Sequence, residues 1–280
     1  PVIHFYEPFL AEYDKTLKDK RGVFFTPRPV VSFIVRNIHQ QLQKDFGLKD
    51  GLASTDTWGE MQGRFPGLKL PEGVEETDSF VNIIDPATGT GTFLFECIEI
   101  IERTMKEKWC AELKINNKDA SEIQERWQHY VNQFLLTRLY GFELMMASYS
   151  IAHLKLAFKL GETGYRMKND ERINIYLTNS LEPASDIQKG LPGFTSAIAQ
   201  EAEDVNWIKR KKQFTVVIGN PPYAGVSANM SVATNSIEPY KFVDGNPLSE
   251  RKHWLHDDYV KFIRLVQLII TRSGIGLIGY

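Results

Sequence analysis

A chain of 280 residues with 42 % hydrophobic content is long enough for one large domain or two small ones and can bury a sizeable core. Its 33 basic residues stand against 35 acidic ones, a balance that gives no global electrostatic footprint for nucleic acid. No run approaches ~20 uninterrupted apolar residues, and "PVIHFYEPF" has no charged leader ahead of an apolar stretch, so neither a membrane span nor a signal peptide is visible and a cytoplasmic location is the expectation.

In chain order, the first predicted element is a helix over 27–42, where Val30, Ile34, Ile38 and Leu42 recur at four-residue spacing behind prolines. Residues 44–79 carry glycine, proline and acidic residues without a clean period and read as an irregular insertion. "FVNIID" at 80–85 reads as a strand, and "PATGTGTFLFECIEIIERTMKEKW" as a turn that opens a helix. Its two cysteines, Cys97 and Cys110, are expected to be small hydrophobes, not disulfide partners or nucleophiles. A helix over 122–137, a strand at 139–144 and a helix over 146–160 follow, the last with Ile151, Leu154 and Phe158 on its apolar face and Gly161 as its stop. Further strands are predicted at 173–181, 214–222 and 274–280, and a last helix at 259–274. The basic run Lys209 to Lys212 precedes one strand and reads as a solvated edge. Alternation of this kind predicts an α/β fold with a mostly parallel sheet covered by helices on both faces.

In such a sheet ligands bind beyond the carboxyl ends of the strands. The tips to inspect are residues 85–91, Glu143, Asn179 and residues 220–223. In "DPATGTGTFL", Gly89 and Gly91 permit a tight turn and close approach by a ligand, and the following helix offers free N–H groups. A dinucleotide site would want a third glycine where Phe93 and Leu94 stand, and an acid about 20 residues on, whereas Glu143 lies 54 residues past Gly89 (143 − 89). Asp85 before the turn suits a ligand with a positive amino group. At the other tip, "FTVVIGNPPYAG", two prolines stiffen the backbone, and the Asn220 side-chain oxygen and Pro221 carbonyl form a pair of acceptors with Tyr223 able to stack on a flat ring. A planar amine with two hydrogens fits that tip.

"GVFFTPRPVVSFIV", "DPATGTGTFL" and "NPPY" resemble motifs X, I and IV of the gamma-group adenine-N6 DNA methyltransferases, in that order, and the resemblance runs from about residue 22 to 280. "RLYGFELMMASYSIAHLKLAF" and "IYLTNSLE" are similar to the methyltransferase module of fused single-polypeptide (type ISP) restriction-modification enzymes, with type I modification subunits as more distant relatives. The resemblance implies a Rossmann-like S-adenosylmethionine-dependent methyltransferase fold, with an N-terminal segment over 1–79 and a catalytic core over 80–280. It implies that Thr26 and Pro27 line the methionine end of the cofactor, that Asp85, Ala87, Gly89 and Gly91 shape its pocket, and that Glu143 holds the ribose. Asn220 and Pro221, stiffened by Pro222, would bind the amino group of a flipped adenine from double-stranded DNA, and Tyr223 would stack on the base. Asn179 departs from the family's usual acid and is either a contact to the cofactor adenine or a turn former. The fold implied normally adds two strands and a DNA-reading region after the fifth strand, so truncation and further domains or subunits are expected.

His253 and His256 beside Asp257 and Asp258 lack further ligands, and no metal is expected. "AGVSANMSVATNS" after Tyr223 reads as a mobile loop that closes over substrate. Two rival functions stand beside the first: a protein glutamine N5-methyltransferase, since a side-chain amide is also a planar N–H₂ donor, and a non-catalytic module that binds cofactor or DNA for a larger assembly.

Overall fold

Short runs of Ile, Val, Leu and aromatic residues form strands β1 (Ile83–Asp85), β2 (Leu139–Glu143), β3 (Asn174–Leu177), β4 (Val216–Ile218) and β5 (Leu277–Gly279). The computed structural model describes residues 26–118, 120–169, 171–184, 196–223, 235–248 and 253–280. The five strands make one parallel sheet in the order β3-β2-β1-β4-β5. From β1 the chain steps outward to β2 and β3, then returns to the other flank of β1 as β4. That reversal puts the topological switch point between the tips of β1 and β4.

Helices cover both faces, as the alternation of elements predicts. On one face α1 (Arg28–Asp45), α2 (Trp58–Arg64), α3 (Thr92–Leu113), α4 (Ser121–Tyr130) and α5 (Met146–Glu162) pack on Ile83, Ile175, Val216 and Ile218. On the other, α6 (Ser196–Lys211) and α7 (Asp258–Ser273) bring Val205, Ile208 and Val266 against Ile84, Phe142, Tyr176 and Val217. The split of Ile83 from Ile84 and of Val216 from Val217 is the period-2 alternation of a strand buried on both sides. Gly274, with φ 74°, closes α7 in the left-handed conformation.

Several expectations need correction. The apolar stripe of α1 is turned by one residue: Val31, Val35, Ile38 and Leu42 are buried, while Val30 is exposed. The stretch 44–79 is more ordered than its composition suggested, because Thr57 and Glu60 form a reciprocal capping box that starts α2. Trp58 and Met61 of that helix enter the core beside Leu48, Leu52 and Phe80, each large apolar side chain contributing roughly 1.5–3 kcal/mol by burial. The helix expected over 122–137 contains a π-helical stretch, Val131–Leu135, before a final turn at Leu136–Arg138. Leu154 and Phe158 of α5 are half exposed, and Ser148, Ala152, Lys155, Leu156, Lys159 and Leu160 face inward instead. Apolar residues run all round that helix, and its register is set by Ala152, which lies where a Cβ on Gly91 would be 3.3 Å from it. The basic run is not a solvated edge throughout: Lys209 and Lys212 lie over the Phe142 and Tyr140 rings.

Cys97 is fully buried in α3 and Cys110 partly so, both unbridged. No helix of the described residues is long and apolar enough to cross a membrane.

Candidate active site at the switch point

The turn after β1 is held from within. Asp85 Oδ1 accepts from Ala87 N at 3.0 Å, Thr88 Oγ1 donates to the Asp85 carbonyl at 2.9 Å, and Thr88 N donates to the Phe142 carbonyl at 3.0 Å. Gly89 and Gly91 have φ of 56° and 78°, which an L side chain resists, and Gly91 is the N-cap of α3. A Cβ on Gly89 would meet nothing within 4 Å, so this glycine serves the backbone angle and the turn faces open room.

The tip of β2 is tied to the same turn. Glu143 Oε2 accepts from Gly89 N at 2.8 Å and Oε1 from Met145 N at 2.7 Å, which fixes the carboxylate across the glycine turn. Ser180, just past β3, donates to the Pro86 carbonyl at 2.5 Å and anchors the third loop. Asn179 beside it folds its own turn: Oδ1 accepts from Leu181 N at 3.1 Å and Nδ2 reaches Glu182 at 3.1 Å. Lys209 Nζ donates to the Asn179 and Glu182 carbonyls, and burial lowers its ammonium to about 8 against the opposing pull of Glu182.

Asp85 is the electrostatic centre. It is wholly buried, and burial pushes its carboxyl up to about 8, with the Ala87 N–H opposing and Glu143 reinforcing the rise. Among the described residues its Oδ2 has no hydrogen-bond partner, and the Tyr280 hydroxyl, likewise buried and pushed up by desolvation and by Asp85, has none either. A buried carboxyl oxygen left unsatisfied at the switch point is a candidate partner for a cationic donor.

The tip of β4 meets Asp85 through Gly219. This residue has φ 152°, and a Cβ there would stand 2.7 Å from Asp85 Oδ1. Its N–H donates to the Gly279 carbonyl at 3.1 Å, so β5 holds it in place. Gly219→Ala is therefore expected to displace the Asp85 carboxylate and to weaken binding of a cationic ligand at least tenfold, measurable by titration calorimetry; unchanged affinity would mean that Asp85 makes no ligand contact. Neither Gly219 nor Ser180 is among the site residues expected from the sequence, although a glycine at the end of an apolar run signals close backbone approach.

Beyond Gly219, Asn220 Nδ2 donates to Thr26 Oγ1 at 3.0 Å, Pro221 is buried, and Tyr223 is 46 % exposed at the end of the described stretch. The structure thus gathers Thr26, Asp85, Ala87, Gly89, Gly91, Glu143 and Asn220 around the switch point. A cleft of about 1000 Å³ on the other sheet face is lined by Phe142, Ile208, Leu265 and Lys209, and none of Asp85, Glu143 or Asn220 lines it. Among the described residues no group of three or more His, Cys, Asp or Glu side chains could hold a metal. Residues 224–234, most of the loop expected to close over substrate, lie outside the described residues.

The family model for Eco57I restriction-modification methylases matches residues 137–278. The chain belongs to this Eco57I methylase family. No match was found among curated protein sequences. Among solved structures, this Eco57I-family chain is similar to a DrdV–DNA complex at 24 % identity and TM-score 0.60, which covers 99 % of this chain and 22 % of that one. It is similar to a nuclease-deletion mutant of the type ISP restriction-modification enzyme LlaGI bound to a DNA substrate mimic, at 23 % identity and TM-score 0.61, over 98 % of this chain and 19 % of that one. It is also similar to the ATP-dependent type ISP enzyme LlaBIII bound to DNA, at 22 % identity and TM-score 0.63, over 96 % and 16 % respectively. These likenesses establish the fold, a Rossmann-like methyltransferase sheet, and the Eco57I-family chain spans about a fifth of the length of the structures it matches.

Proposed function

We propose that this Eco57I-family module transfers a methyl group from S-adenosylmethionine to the N6 amino group of an adenine flipped out of double-stranded DNA, as the modification activity of a restriction-modification system. The observation that carries this reading is the meeting of two tips: the acid-and-glycine turn of β1 and the Asn-Pro-Pro-Tyr tip of β4 abut through Gly219 at the switch point. What supports DNA over a protein amide as substrate is membership of a restriction-modification methylase family.

The residues fit the cofactor. The unpartnered Oδ2 of Asp85 suits an ammonium, the left-handed turn at Gly89 and Gly91 leaves room for the chain of the ligand, and the anchored Glu143 carboxylate suits a pair of hydroxyls. By the motif resemblance, Thr26, Pro27 and Ala87 would line the same site, and Asn179 would lie at its edge, where its side chain folds its own turn. S-adenosylmethionine, when bound, supplies an electrophilic methyl group on a sulfonium sulfur.

This chain's own residues orient the nucleophile. Asn220 Oδ1 and the Pro221 carbonyl accept the two N–H bonds of the adenine amino group, which draws the nitrogen lone pair out of conjugation with the ring and aims it at the methyl carbon. Tyr223 holds the base by stacking, and Pro222 keeps the tip from relaxing. The amino nitrogen would form the new N–C bond as the methyl–sulfur bond breaks and the sulfur leaves as a neutral thioether, and the methylated nitrogen would release one proton to solvent. Orientation carries most of the acceleration, since no covalent protein intermediate is required. In this division residues 1–79 lend the cofactor-lining stretch and 80–280 the catalytic core. With a formal charge of −2, the module has little of its own to grip phosphates, and further domains or subunits hold the duplex.

Titration calorimetry with S-adenosylmethionine, beside NAD as control, tests the cofactor half of this reading. Saturable binding of the methyl donor alone is expected; binding of NAD, or of neither, would contradict it.

A further inference from the structure

The hydrogen bond from Asn220 Nδ2 to Thr26 Oγ1 joins residues 194 positions apart, and it bears on the one ambiguity of an asparagine in this role. A carboxamide has an acceptor end and a double-donor end that differ little in shape, and half a turn about its last torsion exchanges them. With the oxygen toward an incoming amino group, Asn220 accepts a hydrogen bond. With the NH₂ toward it, two donors face each other and the tip repels its substrate.

We propose that Thr26 is a positioning residue for Asn220: its hydroxyl oxygen accepts the carboxamide N–H at 3.0 Å and holds the side chain in the orientation that leaves Oδ1 for the target amino group. The sequence resemblance suggested only a cofactor-lining place for Thr26. The structure adds that Oδ1 of Asn220 has no hydrogen-bond partner among the described residues, while Nδ2 is engaged. Thr26 is itself well fixed. It directly precedes Pro27, whose carbonyl accepts from Val30 N at 2.9 Å and Val31 N at 3.2 Å, and Arg28 pairs with Glu99 of α3 at 2.8 Å. Gly279 of β5 lets α1 lie close to the sheet, since a Cβ there would be 2.8 Å from Ile34. The start of α1 is thereby fixed in place, and Thr26 holds its hydroxyl against the β4 tip.

This inference rests on the proposed amine methylation, and its test separates the two. In the intact polypeptide, Thr26→Val keeps shape and removes the acceptor, while Thr26→Ser keeps it. Single-turnover methylation, the Kd for S-adenosylmethionine and a double-mutant cycle with Asn220→Ala are read together. At saturating S-adenosylmethionine, Thr26→Val should lower the methylation rate about tenfold, equivalent to about 1.4 kcal/mol, beyond whatever change the calorimetric Kd registers. Thr26→Ser should restore most of the rate, and Thr26→Val should cost nothing further once Asn220 is alanine. An unchanged rate in Thr26→Val would overturn the positioning role, as would a loss confined to cofactor affinity or a loss that persists in the Asn220→Ala background. A wild-type polypeptide that binds cofactor but methylates no DNA would instead overturn the underlying function.

Discussion

Asn220→Ala is expected to lower the rate of DNA methylation by about two to three orders of magnitude while leaving affinity for S-adenosylmethionine within about twofold. The substitution removes one of the two acceptors that hold the amino group, and deletion of one well-placed hydrogen-bonding group at a reacting centre typically costs a factor of about 10²–10³ in rate. Cofactor binding should survive because the Asp85 carboxylate, the Gly89–Gly91 turn and Glu143 hold one another without Asn220. The fold should survive as well, since the Asn220 side chain is only partly buried and, among the described residues, bonds only Thr26. Single-turnover rates and calorimetry on the same preparation check both halves. Equal loss of rate and cofactor affinity would show that the asparagine braces the pocket instead of binding the amine.

Asp85→Asn should have the opposite signature: cofactor affinity falls about a hundredfold or more, and the ligand-free protein becomes more stable. The carboxyl of Asp85 is raised from 3.8 to about 8 in the fold, so the folded chain binds this proton more tightly than the unfolded chain does. Its stabilising share is complete below pH 3.8 and is lost progressively as pH climbs toward 8. Asparagine has no proton to lose, and the variant should gain on the order of 2 kcal/mol at neutral pH, seen as a rise in Tm of several degrees. The same protonation predicts how binding depends on pH. A neutral carboxyl must release its proton to pair with an ammonium, so wild-type affinity should rise between about pH 6 and 7.5, by up to tenfold per unit, before the ligand's own amino group starts to deprotonate near ~8. The asparagine variant should bind weakly and without that slope. A variant as tight as wild type, or a wild-type affinity indifferent to pH, would remove Asp85 from the cofactor's contacts.

Much of this arrangement was legible in the residues because its signals are local. Parallel strands buried on both faces read as short apolar runs, the two left-handed glycines follow such a run directly, and "NPPY" combines a rigid backbone with a bidentate side chain. The misreadings share one physical cause, which is that packing partners are distant in sequence. The inward face of α5 follows from the close approach of Ala152 to Gly91, some 60 residues away (152 − 91 = 61), and periodicity within the helix cannot report that. Lys209 reads as a solvent-facing charge in the sequence, whereas in the fold its ammonium donates to the carbonyls of Asn179 and Glu182. The α2 capping box was visible as Thr57 followed by Glu60, but the glycines and prolines around it masked the signal. Contacts between tips, such as Ser180 with Pro86 and Thr26 with Asn220, exist only once the strand order is known.

The central claim is the identity of the methylated atom, and nucleoside mass spectrometry reads it directly. DNA from cells that express the intact polypeptide, beside the Asn220→Ala variant, is digested and its modified nucleosides are quantified. The account predicts N6-methyladenine with the wild-type protein and none above background with the variant. Methyl groups on cytosine N4, or on a protein glutamine with unmodified DNA, would contradict it.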